Sequence, residues 1–177
     1  MVSVNPGRPQ SGEFLEYYGE YINLVPEGDV TSLLERQIDE TVETLSTFSD
    51  EQAAWRPAPG EWNAIEIVGH LADMERVFAY RAVSFARNSP GALPGIDPDD
   101  FMVDAGFARR PLADVVAEFV AVRQASLALF RSLDEAAWFR RGVASDNEVS
   151  VRALAYITAG HELHHSLDFP KHRAMRA

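Results

Sequence analysis

Cysteine is absent from the 177 residues. That removes disulfides, thiolate nucleophiles and sulfur ligands, so any transition metal must be held by His, Asp, Glu or water. Basic residues are scarce. Sixteen Lys and Arg stand against 27 Asp and Glu, a formal charge of -11. Nucleic-acid and anionic-membrane surfaces need clustered Lys and Arg, so neither partner is expected, and the acidity is read as a source of solubility. No run approaches the roughly 18 apolar residues of a spanning helix, and Met1-Val2-Ser3-Val4-Asn5-Pro6-Gly7 lacks the basic start and apolar core of a signal peptide. A cytoplasmic location is expected. Repeats, low-complexity tracts and persuasive β-alternation are missing as well. What is there, 46% hydrophobic and 24% charged residues, suffices for one domain with a real core.

Helical periodicity accounts for most of the chain. Residues 1–28, with Gly and Pro interleaved among Phe14, Leu15, Tyr17, Tyr18 and Tyr21, read as an arm wrapped on the domain. Asp29 caps a first helix over 30–48 that places Leu34, Ile38, Val42 and Leu45 on one stripe. Ser49-Asp50-Glu51-Gln52 has the capping-box pattern of a short turn, and Asn63 with Glu66 repeats that pattern at the head of a second helix running to about Asn88. Ser89–Arg110 is rich in Gly, Pro and Asp with no helix of normal length, a connection long enough to cross the molecule. A third helix carries Pro111 in its first turn and continues to about Leu133. After an amphipathic turn at 134–139 and a polar loop to Glu148, Ser150 caps a fourth helix that ends before Pro170. Residues 171–177 read as a loose basic tail. The predicted fold is therefore all-α: a four-helix bundle over 29–170, up-down-down-up, with the long crossover between helices two and three.

The stretch Ala159-Gly160-His161-Glu162-Leu163-His164-His165 carries the chemistry. His161 and His165 lie one turn apart on one helical face, so their imidazoles can converge on one cation. His70, in Val68-Gly69-His70-Leu71-Ala72-Asp73 on the second helix, is the third candidate. At about 1.5 Å per residue, His70 lies roughly 10 Å from the start of its helix and the pair roughly 6 to 12 Å from the end of theirs. Antiparallel packing makes those depths level. Three neutral imidazoles with open positions are the donor set of catalytic rather than structural zinc, where the ion activates water or polarises a substrate atom.

His161-Glu162-x-x-His165 also matches the HExxH pattern of zinc peptidases, but Asp168 and Lys171 stand where the extended form needs Gly and His. Glu162 follows His161 by about 100° on the helix, which gives it a role outside the ligand set or in solvent. His164 is ambiguous among ligand, cavity wall and packing residue. Asp73 and Glu66 lie within reach of His70 and are candidates for fixing its tautomer. Arg76 and Arg81 are expected to pair with acidic residues, and Trp55, Trp62, Phe78, Tyr80 and Tyr156 to belong to the core.

Trp55-Arg56-Pro57, Gly60-Glu61-Trp62, the run from Glu66 through Gly69-His70-Leu71-x-Asp73-x-Glu75-Arg76-Val77-Phe78, and Ala159-Gly160-His161-Glu162-x-His164-His165 together resemble the DinB-like superfamily over about residues 30–170. That resemblance implies an up-down-down-up bundle, often a homodimer, with one nickel, zinc or manganese ion on His70, His161 and His165. It also implies a small-molecule reaction: hydrolysis, or S-transfer using a low-molecular-weight thiol. The lack of cysteine suits the latter, since the cosubstrate brings the sulfur. A metal-dependent binding or stress-response module without turnover is the alternative expectation.

Overall fold

Side chains that accept hydrogen bonds from free backbone amides set where the helices begin. The computed structural model describes residues 4–175. The N-terminal arm makes a 3-10 turn, Glu16–Tyr18, and a one-turn helix, α1 (Gly19–Ile22). Helix α2 (Val30–Ser46) starts at Asp29, whose carboxylate accepts from the Thr31 amide at 2.8 Å. Ser49 and Gln52 close a capping box on α3 (Asp50–Ala54), and Asn63 and Glu66 close another on α4 (Ala64–Ala86). The crossover contains α5 (Pro98–Ala105), capped by Asp97, and a 3-10 turn at Phe107–Arg109. Then come α6 (Leu112–Arg131), the short α7 (Glu135–Trp138), strands β1 (Arg141–Ala144) and β2 (Asn147–Ser150), α8 (Val151–Ser166) and α9 (Phe169–Arg173).

Helices α2, α4, α6 and α8 form the bundle, and individual contacts give their directions. Gln37 reaches the Ala159 carbonyl and Thr41 reaches Glu162, so α2 and α8 are parallel. His70 sits beside His165, Phe78 beside His161, and Phe85 against Gly142 ahead of α8, so α4 and α8 are antiparallel. Phe107 lies on Gly69 near the start of α4 and Arg123 meets Glu75 further along, so α4 and α6 are parallel. The order is up-down-down-up. It requires the long crossover, because a parallel successor has to begin at the end where its predecessor began.

The core divides along the bundle. One cluster gathers Leu34, Phe78, Phe130, Trp138, Tyr156 and Ile157; the other gathers Leu45, Ile67, Phe107, Phe119 and Phe169. Burying each such side chain contributes about 1.5 to 3 kcal/mol. Two glycines permit contacts that any side chain would block. A Cβ at Gly160 would sit 2.1 Å from the Tyr21 carbonyl oxygen, so only glycine lets the arm lie on α8 there. A Cβ at Gly69 would stand 2.3 Å from the Phe107 ring, which the crossover presses onto α4 next to His70. The arm is pinned at its other end by Glu13, which is buried and ion-paired with Arg152 while accepting from the Ser150 hydroxyl at 2.7 Å.

Several details differ from the sequence reading. The polar loop before Ser150 is a β-hairpin with Arg141 opposite Ser150, turning through Ser145 and Asp146, both at positive φ. Its strands do not alternate cleanly and its turn lacks the usual Asn-Gly, so the pattern was silent. Pro111 caps α6 rather than occupying its first turn. Helix α8 stops at Ser166, and Pro170 serves the first turn of α9 rather than ending the helical region. The expected tail is therefore helical through Arg173, and His172 is fully buried. Residues 1–3 of the expected arm and 176–177 of the expected tail lie outside the described residues.

Candidate metal centre

His70 occupies the second turn of α4, and His161 and His165 share one face near the end of α8. Because the two helices run in opposite directions, the three rings meet at one level. Their centroids are 4.6 to 4.9 Å apart. One ring nitrogen from each lies within 4.8 Å of the others, and Nε2 of His70 is 3.1 Å from Nε2 of His161. A tetrahedral ion at about 2.0 to 2.1 Å from each nitrogen spaces its ligands roughly 3.3 Å apart, so the closest pair is near coordination geometry.

Electrostatics favours the ligand form of each ring. Burial, then the nearby imidazole of His165, pushes His70 down to about 3. Burial followed by the charges of His165, His70 and His164 drives His161 well below the usual histidine range. His165 is lowered to about 4, again chiefly by burial, with His164 adding to the shift and Asp168 opposing it. At neutral pH all three are unprotonated, which metal binding demands. The donor set therefore fits a divalent transition ion held by nitrogen alone.

Aromatic side chains hold the rings in place. Trp62 packs on His70 at 4.6 Å and stacks on His165 at 6.2 Å; Phe78 and Tyr21 stand edge-on to His161 at 5.8 and 5.3 Å. A cavity of about 280 Å³ opens over the histidines, walled by Tyr17, Tyr18, Tyr21, Trp62, Phe78 and Asp99. Behind the histidines, Arg123 of α6 bonds Glu75 of α4 through Nε at 2.8 Å and pairs with Glu162 of α8 at 2.8 Å. It also donates to the Leu34 carbonyl of α2 at 3.1 Å, so one guanidinium touches all four bundle helices.

Not every expected neighbour joins the site. Asp73 is tied to Arg76 at 2.8 Å, and Glu66 to Arg56 and its own capping box, so neither orients His70. Glu162 points neither to solvent nor to the site. It is buried on Arg123 and accepts from the Thr41 hydroxyl at 2.6 Å. His164 is exposed, its ring edge on Tyr21 at 5.2 Å. Arg76 pairs with Asp73 and Glu118 as expected, whereas Arg81 donates to the Pro94 carbonyl and the Ser145 hydroxyl. Tyr156 is in the core, Phe78 is in both core and cavity wall, and Trp62 is half-buried, packed against the second core cluster while also lining the cavity. Trp55 is half-buried with its ring edge on His172, and Tyr80 is 58% exposed. Sequence reasoning missed the roles of Tyr17, Tyr21, Asp99 and Arg123. Only the tyrosine cluster of the arm offered a signal, since apolar rings in a Gly- and Pro-rich segment must cover something.

A sequence model of the DinB superfamily matches residues 33–167, which contain all three histidines. The chain belongs to the DinB superfamily. Among solved structures, this DinB protein is similar to YfiT from Bacillus subtilis, described as a probable metal-dependent hydrolase with an unusual four-helix bundle topology. The two share 14% identity over 96% of each chain, with a TM-score of 0.69, a likeness of fold. No curated protein is a significant match. Among the described residues no helix is long and apolar enough to cross a membrane.

Proposed function

We propose that this DinB protein is a divalent-metal-dependent enzyme acting on a small molecule, by hydrolysis or by S-transfer from a low-molecular-weight thiol. The observation that carries the reading is the convergence of three buried or half-buried neutral imidazoles from antiparallel helices beside an open cavity. His70, His161 and His165 would hold nickel, zinc or manganese. Such an ion supplies Lewis-acid chemistry, stabilising charge that develops on a substrate oxygen or sulfur. The remaining work falls to the chain. Trp62, Phe78 and Tyr21 fix the imidazole orientations and keep bulk water off one side of the ligand set. The cavity confines a substrate of modest size against that set, and Tyr17 and Tyr21, whose hydroxyls are 3.0 Å apart, present phenolic groups near its mouth. The fold likeness to a protein described as a probable metal-dependent hydrolase supports the same reading.

Elemental analysis of the purified chain tests it, combined with turnover assays on ester, amide and thiol-plus-electrophile panels. The expected outcome is about one divalent ion per chain, lost with activity in His70→Ala, His161→Ala and His165→Ala. Stoichiometric metal without turnover on any panel would leave a binding module instead. Absence of metal from protein purified without chelator, and failure to take it up, would reduce the chain to a helical scaffold.

A further inference from the structure

The lining of the cavity over the three histidines departs from the rest of the chain. Five of its eleven residues are Tyr, Trp or Phe, against 10% of the whole sequence. Tyr17, Tyr18 and Tyr21 come from the arm, Trp62 from the turn ahead of α4 and Phe78 from α4 itself, so separate segments bring their rings to one place. Beyond the histidines, Met74, Pro98 and Asp99 complete the wall, and no Lys, Arg, Asn, Gln, Ser or Thr is among its residues. A neighbouring cavity of about 350 Å³ between α2 and α8 is different in kind, with Glu40, Thr41, Thr44, Ser166 and Arg173 on its wall. Packing within the chain leaves the arm rings only partly used: Tyr17 is 58% exposed, and Tyr18 and Tyr21 are half-buried. Aromatic surface left beside a cavity is covered further only when the cavity is filled, and such surface marks ligand sites.

We infer that the substrate brought to this centre carries a flat aromatic ring and no charged group at its far end, the ring lying among Tyr17, Tyr18 and Trp62. The inference rests on the metal reading of the three histidines, because it assumes a ligand anchored on the ion they hold. Aromatic rings gain more from one another than their buried area alone supplies. A carboxylate at the far end would shed its water against rings and the Asp99 side chain, with no cation among the lining residues to replace that water. A quaternary ammonium could use the ring faces, but it would stand beside a divalent ion of like charge. Size sets a further bound. At roughly 30 Å³ per water-sized volume, about 280 Å³ holds a ligand of about nine or ten non-hydrogen atoms, enough for one ring and one metal-binding group.

The test uses the full chain loaded with cobalt(II) and four hydroxamates, which offer the metal the same group and differ at the far end: benzohydroxamate, cyclohexanecarbohydroxamate, succinate monohydroxamate and trimethylammonioacetohydroxamate. Binding is read from the visible spectrum of the cobalt and by thermal shift, in the natural protein, in Tyr17→Leu and in a Tyr17→Leu/Tyr18→Leu double variant. Benzohydroxamate is expected to bind about tenfold more tightly than its cyclohexane counterpart, which matches it in non-hydrogen atoms but is not flat, and to exceed the two charged ligands by at least as much. That tenfold ratio should drop about threefold in Tyr17→Leu, whose ring lies at the surface and is not needed for folding, and to within about twofold of unity in the double variant. Cobalt affinity should be unchanged in both. Comparing variants cancels the ligands' own differences in acidity and hydrophobicity. A cyclohexane or charged ligand bound as tightly as benzohydroxamate, or a ratio unmoved in Tyr17→Leu, would overturn the inference. So would retention of cobalt without binding of any hydroxamate, a result that leaves the metal reading standing. Failure to bind cobalt at all would bring down both.

Discussion

Replacing Arg123 with Met would remove the one cation from a pocket that holds two carboxylates. The side chains of Arg123, Glu75 and Glu162 are 1%, 3% and 2% exposed. The guanidinium bonds both Glu75 oxygens at 2.8 and 2.9 Å, pairs with Glu162 at 2.8 Å, and stands 5.2 Å over the Phe119 ring. Burial already pushes Glu162 above the usual carboxylate range despite the opposing pull of Arg123. Without that pull, two buried carboxyls face each other, and the polypeptide must protonate one or admit water. Breaking a buried ion pair from one side costs about 3 to 5 kcal/mol, against a total stability of about 5 to 15 kcal/mol for a domain of ordinary size. At about 2 to 4 °C per kcal/mol for a chain of this length, the melting temperature should fall by roughly 6 to 20 °C. Urea titrations followed by circular dichroism at pH 7 measure the loss directly. A triple variant, Arg123→Met with Glu75→Gln and Glu162→Gln, should recover most of it, because the cost lies in unpaired charge rather than in lost packing. A loss under about 1 kcal/mol in the single variant, or a triple variant no more stable than the single, would refute the reasoning.

Acid should loosen the N-terminal arm through Glu13. Burial raises its carboxyl, but the Arg152 guanidinium, the Gln10 amide and the Ser150 hydroxyl outweigh that and hold it at about 2, against 4.5 in an unfolded chain. A depressed acid contributes stability that is complete above about pH 4.5 and lost as pH falls toward 2, here on the order of 3 kcal/mol. Glu13→Gln should flatten that part of a stability-against-pH curve, and an unchanged slope would mean the clip contributes little. Gly160→Ala forces a methyl group into the Tyr21 carbonyl, a backbone atom that cannot swing aside; a loss of about 1 to 3 kcal/mol and faster proteolysis within the first 25 residues are expected by denaturation and limited digestion. Nickel or zinc at a hundred times its dissociation constant should add about 2.7 kcal/mol to the stability of the natural protein and nothing to His70→Ala, as read by thermal shift.

Helix starts were legible because capping is local. Asp29, Ser49, Asn63 and Ser150 each act on an amide two or three residues away, so the sequence alone determined where α2, α3, α4 and α8 begin. The pairing of His161 with His165 followed from helical spacing, and the level meeting with His70 followed once a long crossover implied antiparallel neighbours. Three kinds of feature stayed hidden. The hairpin at 141–150 depends on support from Leu93, which bridges to Ala144 across the chain, rather than on alternation within its own residues. The short helix that buries His172 depends on Trp55 and the end of α3 being there to cover it. The partner of Glu162 depended on which cation from another helix reached it, Arg123 of α6, whereas Asp73 was taken by Arg76 three residues on along α4, whose orientation Glu118 of α6 shares in fixing. Local hydrogen bonds and periodicity act over a few residues and are written in the chain order. Which cation neutralises a buried carboxylate, and which aromatic ring covers a given imidazole, is settled only when distant segments compete for the same small volume. The tertiary structure decided those.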